Sequence, residues 1–277
     1  MLYINVINIM SVTVYFISDH TGLTVEALGR MLLSQFQLTK CDYHIKSYVN
    51  TVEKAQQLAI EIIAKNGGKI IVFSSFVNAQ LREVFSKNKI EYIDLFSEFI
   101  PRLETILEKK SSAQTGLAHG VGNYHKYMLR IEAIDFALAH DDGLNNKHYE
   151  DADLVLIGVS RSGKTPTCLY LAIQLGIKAA NYPITADDLH NFSLPLVLSK
   201  VKHKLFGLLI DVNRLQEIRN ERRPNSTYSS LVQCQQELDH VHRLYKNEKI
   251  PFLDTTSLSI EEISTQILLQ TGIEKRF

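Results

Sequence analysis

From Val12 onward the chain alternates short β-branched or aromatic runs with longer helical patterns, and that alternation leaves few folds open. Strands separated by the length of a helix cannot pair as hairpins. They form a parallel sheet whose crossovers cover both faces. The runs predict strands over 12–17, 44–49, 69–73 and 90–95, with helices over 24–36, 52–65, 78–86 and 97–108. Residues 12–110 therefore read as a doubly wound, parallel-sheet N-terminal α/β domain. Its first strand ends in Ser18-Asp19-His20-Thr21-Gly22, at the carboxyl edge where such sheets bind ligands. Over 111–149 the period breaks at Ser111, Ser112, Gly116, Gly120 and Gly122, giving a linker loop and then a connecting helix from Tyr124 to about His140. The pattern resumes over 150–277, with strands near 154–157, 179–182 and 205–210 and a closing amphipathic helix over 258–269. Residues 1–11 read as an extension, the first nine of them a misplaced start or a disordered segment.

Within the second half, Gly158-Val159-Ser160-Arg161-Ser162-Gly163-Lys164-Thr165 fits the phosphate-loop pattern G-x-x-x-x-G-K-[ST]. The octet lies between an apolar run, Leu154 to Ile157, and an apolar helical stretch, Thr167 to Leu175. A strand that delivers the chain into a tight loop turns backbone N–H groups onto an anion, and the next helix adds its positive end. Residues 150–277 are accordingly expected to be a P-loop-containing α/β domain that binds nucleotide. Lys164 reaches an outer phosphate in this reading and Thr165 holds Mg²⁺. Arg161 adds a permanent cation able to hold two phosphate oxygens, the alternative being a side chain in solvent. Pro166 stiffens the start of the helix. A guanine-reading N-K-x-D does not follow the loop: Asn88-Lys89-Ile90-Glu91 precedes it and ends in Glu. No run resembles the L-S-G-G-Q signature of transporter ATPases.

Thirty basic residues balance thirty acidic ones among the 277, so no overall field draws nucleic acid or anionic lipid, and any anion is recognised locally. A hydrophobic content of 45% supports one large domain or two ordinary ones. No apolar run approaches the roughly 20 residues that span a bilayer, and Met1 to Ile9 lack the basic start of a signal peptide. The three cysteines, Cys41, Cys168 and Cys234, form no C-x-x-C pair, which fits a reducing cytoplasm. Cys168 reads as a small buried hydrophobe.

Several residues stand as candidates with two readings each. Asp211 closes the apolar run 208–210, where an Asp supports Mg²⁺ in phosphate-loop enzymes or serves a turn. Asp141 and Asp142 face the negative end of a helix, which costs a few tenths of a kcal/mol. Either one of them is a general base or metal ligand, or both belong to a solvated turn capped by Gly143. Asp187 and Asp188 invite the same general-base or metal reading, or else form a capping box with Thr185. His119 is an acid/base group or an ordinary loop histidine. Arg214, Arg219, Arg222 and Arg223 gather into a cluster that suits a phosphorylated or acidic partner, or else a salt-bridged loop.

Taken together, FISDHTG at 16–22, His119-Gly120, RIEA at 130–133, FALAHDDG at 136–143, the stretch 158–171, ANYP at 180–183, IRNERRP at 218–224 and IPFLDTT at 250–256 resemble the phosphoenolpyruvate synthase regulatory proteins. These are bacterial relatives of the pyruvate, phosphate dikinase regulatory proteins. The likeness runs from about Val12 to the C-terminus, and 165–170 and 261–264 favour the synthase branch over the dikinase branch. It implies a cytoplasmic, bifunctional serine/threonine kinase that uses ADP to phosphorylate a threonine of phosphoenolpyruvate synthase and so inactivates it. The same protein then removes that phosphate with inorganic phosphate, releasing pyrophosphate. Residues 158–165 match the family's nucleotide-binding motif. Lys164, Arg161, Asp141 and His119 are the catalytic candidates, and Thr165 and Asp211 the metal candidates. Rival readings are a small-molecule P-loop kinase and a binding module without catalysis. The sequence leaves monomer or homodimer open.

Overall fold

Two four-stranded sheets, every pairing in them parallel, carry the chain. One lies in each of two units, Met1–Gly120 and Val121–Phe277. The computed structural model describes residues 11–36, 40–65, 68–88, 90–114, 124–185, 188 and 194–276. His119, Asp187 and the first nine residues lie outside them. The α/β class expected from the alternation is what the chain adopts.

In the first unit β1 (Ser11–Ile17), α1 (Leu23–Leu33), β2 (Lys40–Lys46), α2 (Val52–Ala64), β3 (Lys69–Ser74), α3 (Ala79–Ser86), β4 (Glu91–Asp94) and α4 (Leu95–Leu107) follow one another, and the sheet order is β2-β1-β3-β4. Alternation along β1 divides the core by face. Tyr15 and Ile17 pack with Ala55, Leu58 and Ile62 of α2 and Leu81 and Phe85 of α3. Val12, Val14 and Phe16 pack with Val25 and Leu33 of α1 and Leu95 of α4. Helices on both faces make this half doubly wound. The second strand runs 40–46, not 44–49 as the sequence suggested. It is an edge strand bonded to β1 alone, and Asp42, His44 and Lys46 alternate along it with Cys41, Tyr43 and Ile45, none of them fully buried, so its apolar signal is weak. Asp94 ends β4 and caps α4, its carboxylate accepting from the Phe96 N–H at 3.2 Å, which starts that helix two residues early.

The second unit contains α5 (Tyr124–Ala139), 3-10 turns at Asp141–Gly143 and Asn146–Asp151, β5 (Leu154–Gly158), α6 (Lys164–Leu175), β6 (Ala179–Pro183), α7 (Leu196–Ser199), β7 (Leu205–Leu209), α8 (Val212–Arg222), α9 (Leu231–Glu248), β8 (Phe252–Asp254) and α10 (Ile260–Thr271). Its sheet order, β6-β5-β7-β8, repeats that of the first unit. The fully buried β5 again sorts its side chains by parity. Val155 and Ile157 meet Leu215 of α8 and Cys234, Leu238, Val241 and Tyr245 of α9. Leu154 and Leu156 meet Ala133 and Ala137 of α5, Cys168 and Leu171 of α6, and Ile263 and Ile267 of α10. The sequence reading lacked α7, α8, α9 and β8. No described helix is long and apolar enough to cross a membrane.

Candidate functional site

Strand order reverses between β5 and β7, and the chain leaves β5 there into the octet. In an open parallel sheet this is where neighbouring crossovers diverge and leave a crevice. The last residue of β5, Gly158, has no room for a side chain: a Cβ would lie 2.8 Å from the Leu208 carbonyl oxygen and 2.8 Å from Ser162 Oγ. Its own carbonyl accepts from the Ile184 N–H at 3.0 Å. The loop then turns on itself, with Ser162 N–H donating to Val159 O at 3.3 Å. Two left-handed residues bend it, Arg161 at φ 78° and Gly163 at φ 90°. Gly163 is the N-cap of α6 and supplies no side-chain cap, so the first N–H groups of that helix keep no capping oxygen from it.

Three of the octet's polar groups are turned away from solvent. Lys164 is 4% exposed, and its Nζ donates to the Val159 carbonyl of the same loop at 2.9 Å. Burial pushes its ammonium down to about 8, against the upward pull of Asp142 and Asp141. Arg161 Nε and Ser162 Oγ are buried without a hydrogen-bond partner among the described residues. Buried donors ordinarily find an acceptor, and a phosphate supplies several.

The loop is held from below by groups that sequence reasoning missed. Arg219 is wholly buried on α8 and donates to the Ser160 carbonyl, from Nη2 at 3.2 Å, and to Tyr228 O at 3.2 Å. A 2.6 Å ion pair with Glu237 of α9 neutralises it, and it lies over the Tyr228 ring at 4.3 Å. Tyr228 OH also bonds Ser160 Oγ at 3.0 Å. Arg219 thus belongs to the interior and leaves the surface cluster read from the sequence. Arg214 pairs with Glu217 on the exposed face of α8. Tyr245 of α9 donates to the Ile157 carbonyl at 2.7 Å.

Asp141 arrives from the other side. It opens the 3-10 turn after α5, and its Oδ1 accepts the Thr165 hydroxyl at 2.7 Å. Asn181 of β6, 1% exposed, donates to the same oxygen. Of the sequence candidates, the structure brings together Lys164, Arg161, Thr165 and Asp141. Asp142 is exposed but joins the network through its N–H, which donates to Asn181 Oδ1 at 3.0 Å. Asp211 follows β7 as the N-cap of α8, its Oδ1 accepting from Asn213 N at 2.9 Å and Arg214 N at 3.1 Å. That engagement serves the turn. Asp188 accepts from the N–H and hydroxyl of Thr185, each at 2.9 Å, as a cap would. Cys168 is buried, and burial drives its thiol far above its usual range, so it is a packing residue. The sequence signals for Asn181 are its place in the ANYP block at 180–183 and a polar residue in the otherwise apolar start of β6, Ala-Ala-Asn.

Mg²⁺ prefers oxygen ligands and keeps several waters. The described residues hold no group of three or more His, Cys, Asp or Glu that would cage a metal by themselves. Thr165 Oγ1 and Asp141 Oδ1, 2.7 Å apart, are hard oxygens beside the loop, a set that fits an ion carried mainly by phosphates.

Residues 14–268 match the family described as kinase/pyrophosphorylase. Among similar proteins, one from Marinobacter nauticus is 49% identical over 269 residues, covering 96% of this chain and 99% of its own length. One from Pseudomonas fluorescens is 46% identical over 271 residues, covering 97% and 100%. One from Stutzerimonas stutzeri is 46% identical over 270 residues, covering 96% and 99%. All three bear the name "Putative phosphoenolpyruvate synthase regulatory protein".

Proposed function

The chain belongs to the kinase/pyrophosphorylase family, and on that premise we propose that it regulates phosphoenolpyruvate synthase by two opposed phosphoryl transfers in one cradle. In one direction a threonine hydroxyl of the synthase attacks the β-phosphorus of ADP, the bond to the α-phosphate oxygen breaks, and AMP leaves. In the other, inorganic phosphate attacks the phosphothreonine phosphorus, the threonine oxygen leaves, and pyrophosphate forms. ADP and pyrophosphate both carry a diphosphate, so Gly158 to Thr165 serve both.

The observation that carries this reading is the buried Lys164 beside the Thr165–Asp141 pair, at the point where strand order reverses. Lys164 exchanges its bond to the Val159 carbonyl for a phosphate oxygen, and the charge gained there raises its proton affinity. Arg161 and the N–H groups entering α6 stabilise charge on the equatorial oxygens. Asp141 is the candidate base from the described residues, at hydrogen-bond distance from the loop; His119 is the second candidate. A bound Mg²⁺ would supply charge neutralisation between the phosphates, with Thr165 as its protein ligand and Asp141 beside it.

The test is incubation with the synthase and ADP, with phosphothreonine read by mass spectrometry and pyrophosphate release read on adding phosphate. Both are expected, and both are expected to collapse in Lys164→Ala. Phosphorolysis that survives in that variant refutes the shared cradle. ADP consumption without the synthase points instead to a small-molecule kinase, and modification of pyruvate, phosphate dikinase in place of the synthase redirects the target.

A further inference from the structure

Asn181 stands where three groups of the candidate site meet. Its Nδ2 donates to Asp141 Oδ1 and lies 3.3 Å from Thr165 Oγ1, while its Oδ1 accepts the Asp142 N–H at 3.0 Å. That N–H can only donate, so it fixes which end of the amide is oxygen and turns the NH₂ group toward Asp141 and Thr165. The backbone of Asn181 is pinned as well: its N–H donates to the His140 carbonyl at 3.2 Å, and its carbonyl accepts the Tyr149 hydroxyl at 3.0 Å. β6 is bonded in the sheet to β5 alone, and residues 140–149 supply partners along its other edge. The amide is therefore a fixed reference on a braced strand.

We propose that Asn181 is a positioning residue for the phosphoryl transfers, acting through Asp141 on the Thr165 hydroxyl. A hydroxyl has one proton and two lone pairs. With Asp141 Oδ1 held in place, the Thr165 proton is committed to that carboxylate, and one of its lone pairs remains for the cation that travels with the diphosphate. Asp142 needs the same anchor. It has a left-handed backbone, φ 46°, a region that Asp visits as a single residue more readily than most non-glycine residues, and the Asn181 oxygen on its N–H holds that turn beside the loop. The inference rests on the reading that residues 158–165 bind a magnesium diphosphate. Groups that orient a metal's ligands typically change metal affinity by about 10–100-fold when altered.

The test compares Asn181→Asp, which keeps shape and the Asp142 contact but sets a second acceptor against Asp141, with Asn181→Ser. ADP affinity is measured by calorimetry with Mg²⁺ and with EDTA, alongside melting temperature. For folded Asn181→Asp and Asn181→Ser, the gain in ADP affinity that Mg²⁺ confers is expected to fall by about tenfold or more, with the EDTA affinity nearly unchanged. A normal Mg²⁺ gain in both variants, or an equal loss with and without Mg²⁺, overturns the role. If Asn181→Asp does not fold, Asn181→Ser decides by the same comparison. Wild-type protein that binds no ADP in either buffer overturns the nucleotide reading itself, which separates the two failures.

Discussion

Lys164 carries its charge where water hardly reaches, and the cost has a sign that can be measured. Its ammonium is pushed from the ordinary 10.5 to about 8 by burial, so the unfolded chain holds that proton more tightly than the folded one. The destabilisation is therefore complete below about pH 8 and is relieved as pH climbs from 8 to 10.5. The difference amounts to about 3 kcal/mol, less about 1 kcal/mol for the bond to Val159. Lys164→Met should then abolish both transfers yet unfold at higher denaturant at pH 7, by on the order of 2 kcal/mol, with the advantage shrinking toward pH 10. Equal or lower stability of the variant at pH 7 contradicts the account of a costly buried charge. The octet was legible in the sequence because its backbone demands glycine where no Cβ fits and a lysine at a set spacing. Asn181 was not, because a single polar residue in an apolar run gains meaning only from a partner 40 positions away, and Arg219 read as one of a surface cluster because the carbonyl it holds lies 59 positions away. The approach of Asp141 to Thr165 was equally hidden: the sequence marked the acidic pair as misplaced at a helix end without saying what it faces.

Among the elements, α8 and α9 form the bed of the loop. Replacing Arg219 by Ala removes the buried partner of Glu237 and leaves the Ser160 and Tyr228 carbonyls without their donor; breaking a buried pair from one side costs about 3–5 kcal/mol. The expected outcome is a lower midpoint in chemical denaturation and lost nucleotide binding, with Arg219→Lys intermediate in both. A surface-like loss under 1 kcal/mol contradicts this placement. Gly207 makes a second point of contact between β7 and α9, since a Cβ there would lie 2.4 Å from the buried Tyr245 ring. Gly207→Ala is expected to cost about 1–3 kcal/mol, and a neutral effect shows that the ring can shift. Why α9 escaped the sequence reading is visible in its pattern. Cys234, Leu238, Val241, Leu244 and Tyr245 follow helical spacing, but glutamines, histidines and charges dilute them, and the arginines of α8 just before suggested an exposed loop. β8 is only three residues long, too short for alternation to register. The strands of the sheet centres, β1, β3, β5 and β7, were legible because burial on both faces demands uninterrupted apolar residues.

On the scale of the whole molecule, each unit owns its sheet and two cores, one per face, so residues 121–277 by themselves should fold. Expressed alone they are expected to unfold in one cooperative transition and to bind ADP; a molten product shows that this unit depends on the rest of the chain. The shared strand order of the two units was not visible as a sequence repeat, because sheet order depends on where each crossover packs and imposes only a polarity pattern on the residues. The claim on which the account turns is a single diphosphate cradle at residues 158–165, and displacement calorimetry tests it most directly. Titrating ADP into folded protein with Mg²⁺, before and after saturation with pyrophosphate, should show one site for which the two compete, and Lys164→Ala should bind neither. Folded wild-type protein that takes up neither ligand, or that binds both at once without competition, contradicts it.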